Sequence, residues 1–292
     1  MTTRPMRIIV TGADGQLGRE LVMLPGLWKM GVQMLGFGRS GLDVTSLQSC
    51  REAVKRYQAD AVIHCAAYTN VDKAESDADA AFRINAEGTR NIALAAREFG
   101  AKLVYISTDY VFEGTAFEPY KESDETKPRT VYGKSKLVGE QEALAVGGKV
   151  FIVRTSWVYG KYGRNFVHTI RDLARERKEF QVVADQIGSP TYTRDLAEFL
   201  IQLVQTDGYG IYHATGSGAC SWHQFAQAIL FESGLTDVKL VPCTTADFPR
   251  LAQRPAYSVL DHGEIRRRGL KELRHWRAAL AAYAVDIGGE KQ

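Results

Sequence analysis

The sequence predicts an α/β protein, a doubly wound parallel sheet with a smaller C-terminal cap. Three observations predict it. Short apolar runs alternate with longer amphipathic ones through the first half, a glycine-rich turn follows the first apolar run, and the alternation loosens after about Ser156. Connections of helical length between parallel strands favour right-handed winding.

Taken in order, RIIVT from Arg7 to Thr11 reads as the first strand and Gln16 to Leu24 as the helix after the glycine turn. Strands follow at Val32 to Phe37, Ala61 to Cys65, Leu103 to Ser107 and Val150 to Thr155. Helices at Leu47 to Tyr57, Ala78 to Phe99 and Tyr132 to Ala145 separate them. In the second half, Asn165 to Arg177, Arg194 to Gln205 and Trp222 to Ser233 read as helices. Val182 to Val183 reads as a short strand, and Tyr209 to Ala214 and Val238 to Val241 as isolated ones. No repeat or linker divides the chain, so residues 1–156 are expected to form a dinucleotide-binding domain. Residues 157–292 are then mainly a substrate cap, with some segments returning to the first domain. The cleft between the two is where a ligand would sit.

Bulk properties narrow the function. The chain has 292 residues, 45% hydrophobic content and a formal charge of +3 with both signs interspersed, so a large core is available and no polyanion-binding stripe is expected. Nucleic acid and membrane are therefore excluded as expected partners. The first residues, MTTRPMRIIV, run into a strand instead of a secretory apolar stretch, which points to the cytoplasm. Cys50, Cys65, Cys220 and Cys243 form no CxxC pair and read as reduced, buried and structural.

The segment IIVTGADGQLG places Gly12, Gly15 and Gly18 between a strand and a helix. Glycines there permit a tight turn and bring backbone N–H groups up to a pyrophosphate at the positive helix end. A turn without a ligand would give the same spacing. Where the second strand ends, Arg39 stands in place of the acidic residue that would bind ribose hydroxyls. Its planar fork suits the 2′-phosphate of NADPH, with NADH the alternative and a solvated surface arginine the bland reading. Asp43 in LDVTS lies either near an adenine or at the N-cap of the helix beginning near Thr45 or Ser46. The run HCAAYTNVDKAES follows a strand, and the small Ala66 and Ala67 let that strand end pass close beneath a nicotinamide ribose.

Tyr132 and Lys136 in VYGKSKLVGEQ share one helix face, so phenol and ammonium can enter one pocket. A free tyrosine titrates near 10, and reaching neutrality takes roughly 4 kcal/mol at about 1.36 kcal/mol per unit. The lysine charge, with an oxidised nicotinamide, is expected to lower the phenol, making Tyr132 the general acid in ketone reduction. Tyrosine and lysine four apart are common on exposed helices. The run STDYVFEG adds weight, because a doubly wound sheet brings Thr108 to the same cleft, where it can bond the reacting carbonyl oxygen.

With TGADGQLG, HCAAYTNVDKAES, YISTDYVFEG, YGKSKLVGEQ, VRTSWVYG, DQIGSPTY and RPAYSVLD in this order, the chain resembles the dTDP-4-dehydrorhamnose reductases among the extended short-chain dehydrogenases, from about Met6 to Ala284. The resemblance implies a Rossmann fold and reduction of the C4 ketone of a dTDP-sugar by NADPH or NADH. It also implies a catalytic set of Thr108, Tyr132 and Lys136. Gly15, Gln16, Leu17, Asp43, Val44, Ala66, Ala67 and Tyr68 fall on cofactor positions, and Val71, Asp109 and Trp157 on substrate positions. Trp157 is also readable as a core residue, and Arg254 as either a diphosphate contact or a salt bridge tying down the C-terminal helix. Gln186, Ser189 and Pro190 would lie near the nucleotide end. Arg194 stands where some members carry a metal-binding glutamate, so no metal is expected, and a homodimer is compatible with the sequence. A reductase giving the C4 epimer dTDP-6-deoxy-L-talose, an epimerase retaining NAD, and a non-catalytic NADP-binding regulatory subunit are the alternatives.

Overall fold

A computed structural model describes residues 4–288. The first half runs β1 (Met6–Thr11), α1 (Gln16–Met23), β2 (Val32–Phe37), α2 (Leu47–Tyr57), β3 (Ala61–His64), α3 (Val71–Ala74), α4 (Ala78–Phe82), α5 (Gly88–Glu98), β4 (Lys102–Thr108), α6 (Val131–Val146) and β5 (Val150–Thr155). The second half runs β6 (Val158–Tyr159), α7 (Phe166–Glu176), β7 (Glu179–Val183), β8 (Ile187–Gly188), β9 (Thr191–Tyr192), α8 (Thr193–Val204), β10 (Gly210–His213), β11 (Cys220–Ser221), α9 (Trp222–Glu232), β12 (Lys239–Cys243), α10 (Gly263–Arg267) and α11 (Trp276–Gly288).

Six parallel strands form the central sheet in the order β10-β5-β4-β3-β1-β2. The chain leaves β1 to one side for β2 and returns to its other side for β3, so the winding reverses between β1 and β3, where Thr11 and His64 are register partners. That reversal opens the crevice in which such sheets bind ligands. Strand alternation sends Ile8, Val10, Val104 and Val153 to a core shared with α1 and α8, and Ile9, Val62 and Ile152 to one shared with α2, α5 and α6. A third core, with Tyr159, Phe225, Trp276 and Tyr283, lies within the cap.

Several expectations are corrected. The strand near Tyr209 is not isolated: as β10 it pairs in parallel with β5 and completes the main sheet. The strand near Val238 pairs in parallel with β7, which itself extends to five residues. The long helix expected from Ala78 to Phe99 is broken by a π-turn at Arg83–Glu87. Ser46, not Asp43, caps α2, accepting from Ser49 N, while Asp43 instead accepts from the Thr45 N–H and hydroxyl at 2.9 and 2.7 Å. Cys50, Cys220 and Cys243 are buried, but Cys65 is only half-buried because β3 ends at His64.

Candidate active site

The glycine turn sits at the reversal point. Gly12 has φ +65°, and a Cβ there would lie 2.7 Å from Ala66 N; one at Gly18 would collide with the Gly12 carbonyl. The β1–α1 turn and the end of β3 therefore touch at a distance only glycine allows. Gly15 caps α1 with no side chain filling the helix end, so the first N–H groups of α1 stay free for an anion. This cradle fits a dinucleotide pyrophosphate. Gln16 Oε1 accepts from Asn165 Nδ2 at 3.2 Å and ties the turn to the cap, and Leu17 is buried beneath it. Arg39 and Asp43 are exposed beyond the end of β2, and Val44 is buried against Gly88.

The loop after β3 is held by buried polar groups. Thr11 Oγ1 accepts from Ala66 N at 3.1 Å and bonds His64 Nδ1 at 2.7 Å. Asn85, fully buried in the π-turn, accepts from Tyr68 N at 2.8 Å and donates to the Tyr68 carbonyl at 3.1 Å and the Ser135 hydroxyl at 2.9 Å. One amide thus fixes the segment Ala66–Tyr68 and the residue before Lys136. The sequence reading missed Asn85, since an i→i+5 turn leaves no periodic signal. Val71 opens α3, half-buried, behind the Asn70 cap.

Thr108, Asp109, Tyr132 and Lys136 converge at the end of β4. Thr130 caps α6 by accepting from Gly133 N at 3.0 Å, which places Tyr132 and Lys136 on the first turns facing β4. Lys136 is buried and donates to the Ile106 carbonyl at 2.7 Å, with its ammonium 4.0 Å from the Tyr105 ring centre. Burial pulls its pKa down to about 7, opposed by Glu140 and Cys65. At Tyr132, burial pushes the phenol up to about 12, a Thr108 hydrogen bond opposing and Asp109 adding. Burial is the largest influence on the phenol, while the Lys136 ammonium is directed at the Ile106 carbonyl. Asp109, buried, accepts from the Thr108 hydroxyl at 2.9 Å and leaves Oδ2 without a geometrically satisfied hydrogen bond; desolvation lifts it to about 6, opposed first by the nearby Ser258 hydroxyl and then by Thr108.

On the cap side, Trp157 has φ +46° and stacks on Trp222 with ring centres 3.5 Å apart, so it is half-buried, between the two roles read from the sequence. Arg254 is a salt-bridge residue, but it pairs with Asp72 of α3 at 2.7 Å and not with the C-terminal helix. It thereby ties the segment before Pro255 across the cleft. Gln186 donates to the Thr245 hydroxyl, and Ser189 to the Gly218 carbonyl. Arg194 pairs with Asp286 and Glu198, and no group of three or more metal-ligating side chains occurs among the described residues.

Comparison with known proteins places this geometry. Residues 6–287 match the model of the family described as RmlD substrate binding domain. The chain is 45% identical to the spore coat polysaccharide biosynthesis protein SpsK of Bacillus subtilis, over 96% of this chain and 97% of that protein. It is 44% identical to a dTDP-4-dehydrorhamnose reductase of Streptomyces griseus, over 94% and 91% respectively. A crystal structure of dTDP-4-dehydrorhamnose reductase from Bacillus anthracis in complex with NADP superimposes with TM-score 0.93 at 43% identity, covering 97% of this chain and 99% of that one.

Proposed function

The chain belongs to the RmlD substrate binding domain family, and from that premise we propose that it reduces the C4 ketone of dTDP-4-dehydro-L-rhamnose to dTDP-L-rhamnose with NADPH. The observation that carries the reading is the convergence of Thr108, Tyr132 and Lys136 beside the glycine cradle. It occurs in a chain 44% identical to a reductase named for that substrate.

When bound, NADPH supplies the hydride. Gly12, Gly15 and Gly18, with Gln16 and Leu17, would hold its diphosphate and Arg39 its 2′-phosphate. Asp43 and Val44 would meet the adenine end, and Ala66, Ala67 and Tyr68 the nicotinamide ribose. Tyr132 donates its proton to the C4 oxygen as that oxygen becomes an alkoxide. A phenol held at about 12 is protonated at neutral pH, yet more acidic than the alcohol it forms, so transfer runs downhill. Thr108 donates to the same oxygen, and Lys136 would hold the nicotinamide ribose while its ammonium stabilises the phenolate left behind. Val71, Asp109 and Trp157 would bind the sugar and nucleotide. Residues 1–156 would form the cofactor domain and residues 157–292 the cap. No helix among the described residues is long and apolar enough to cross a membrane; the reading places the enzyme in the cytoplasm, as a monomer or a homodimer.

The test is an assay that supplies dTDP-4-dehydro-L-rhamnose with NADPH or NADH and identifies the product by NMR. Faster oxidation of NADPH and the rhamno configuration at C4 are expected. A talo product would assign the opposite sugar face, and no cofactor oxidation would overturn the reading.

A further inference from the structure

Behind the site lies a second constellation that the proposed reaction leaves unused. Arg154 interrupts an otherwise apolar strand, VFIVRT, and is 3% exposed; Glu140, on α6 one turn beyond Lys136, is 2% exposed. Charges buried this far need pairing and full hydrogen bonding. They have both. Glu140 accepts from Arg154 Nε at 2.9 Å, Arg154 Nη2 at 2.7 Å and the Ser107 hydroxyl at 2.5 Å. Arg154 Nη1 approaches His213 Nε2 at 3.4 Å. A guanidinium only donates, so Nε2 accepts and Nδ1 donates to the Tyr120 and Asp261 carbonyls, each at 3.1 Å.

This chain of bonds begins at the residue before Thr108, passes one turn beyond Lys136, and ends on backbone near Ser258, whose hydroxyl faces Asp109. We propose that the Glu140–Arg154 pair is the positioning element of the site: tied to Ser107 and His213, it fixes the β4 end carrying Thr108 against the helix carrying Tyr132 and Lys136. The inference rests on the reductase reading for what is positioned. Stability alone does not require such a pair, because well-packed apolar residues often replace a buried ion pair without loss. Fixed geometry one residue from a reacting group is what the apolar pair could not supply.

Ser107→Ala, Glu140→Gln and the uncharged double variant Glu140→Gln/Arg154→Met test it in the full chain. Melting, turnover and NADPH binding by fluorescence across pH are the readouts. Ser107→Ala should melt like the parent and bind NADPH within about twofold, while kcat falls about tenfold at little-changed KM for the sugar. The groups facing Lys136 are His64 from β3 and Cys65 just after it, Tyr105 from β4, Tyr132 and Glu140 on its own helix, and Arg154 of β5 behind Glu140. Loss of the Glu140 charge disfavours the ammonium, so the pH at which NADPH affinity declines should drop by about one unit in Glu140→Gln. The double variant leaves no charge unpaired and keeps the test open if Glu140→Gln does not fold; it should show a smaller shift, because the two lost charges offset each other, without recovering kcat. Parental kcat in Ser107→Ala, or a folded double variant with parental kcat, would overturn the proposal. Failure of the reductase reading looks different, since the parent would then leave the sugar unreduced while the NADPH limb still reports on Glu140.

Discussion

One helix treats buried charge in two ways. On the first turns of α6, Lys136 has a single carbonyl partner and is held at about 7, and just past the end of β4 the Asp109 carboxyl keeps one oxygen unpaired and is lifted to about 6. One turn further, Glu140 and Arg154 are equally buried, yet every charge-bearing arm finds a partner. The contrast teaches that burial alone does not make a reactive group. Burial with a missing partner does, and the paired region behind keeps the underpaired one in place.

The largest effect is expected at the underpaired end. Tyr132→Phe should lower turnover by about 10²- to 10⁴-fold while NADPH affinity stays within about twofold, measured by cofactor oxidation and fluorescence titration; near-parental turnover would remove Tyr132 as proton donor. At the paired end, Arg154→Met alone strands Glu140 and should cost about 3–5 kcal/mol in urea unfolding. A cost below about 1 kcal/mol would erase the contrast.

Acid should act next. His64 and His213 are both pulled to about 3 by burial, and His262 is pulled down as well, so between about 6.5 and 3 the unfolded chain binds at least two protons that the folded chain refuses. Stability therefore falls as pH falls through that window. Asp109 works the other way: its folded carboxyl, at about 6, takes a proton before the unfolded one does at 3.8, which offsets one of them. The net slope near pH 5 is on the order of 1 kcal/mol per pH unit, and Asp109→Asn should make it about twice as steep in denaturation series. An unchanged slope would mean that Asp109 is not underpaired. The smallest effect belongs to the half-buried Arg254–Asp72 pair, where Asp72→Asn should cost about 1 kcal/mol.

Much of the first half was legible in the sequence. Strands such as RIIVT and AVIH are buried on both faces and read as unbroken apolar runs, and glycines at a strand–helix junction have few other uses. The candidate site was legible where side chains lie at strand ends or at i and i+4, as Thr108, Tyr132 and Lys136 do. What stayed hidden depends on distant partners. The place of β10 is set by pairing with β5, and the partner of Arg254 by α3, far away in the chain. The pKa of Tyr132 depends on where Lys136 points, which spacing does not fix. Arg154 did carry a signal, since a charge in a strand with no exposed face has to find an opposite one.

The late arrival of β10 also orders events during synthesis. β5 leaves the ribosome about 55 residues before the strand that covers its edge, so the growing sheet carries an open, apolar border through much of translation. His213 arrives with β10, so Arg154 cannot complete its bonds until then. The cofactor half thus reaches its final form only once much of the cap has been made, which makes the finished catalytic centre a product of the whole chain.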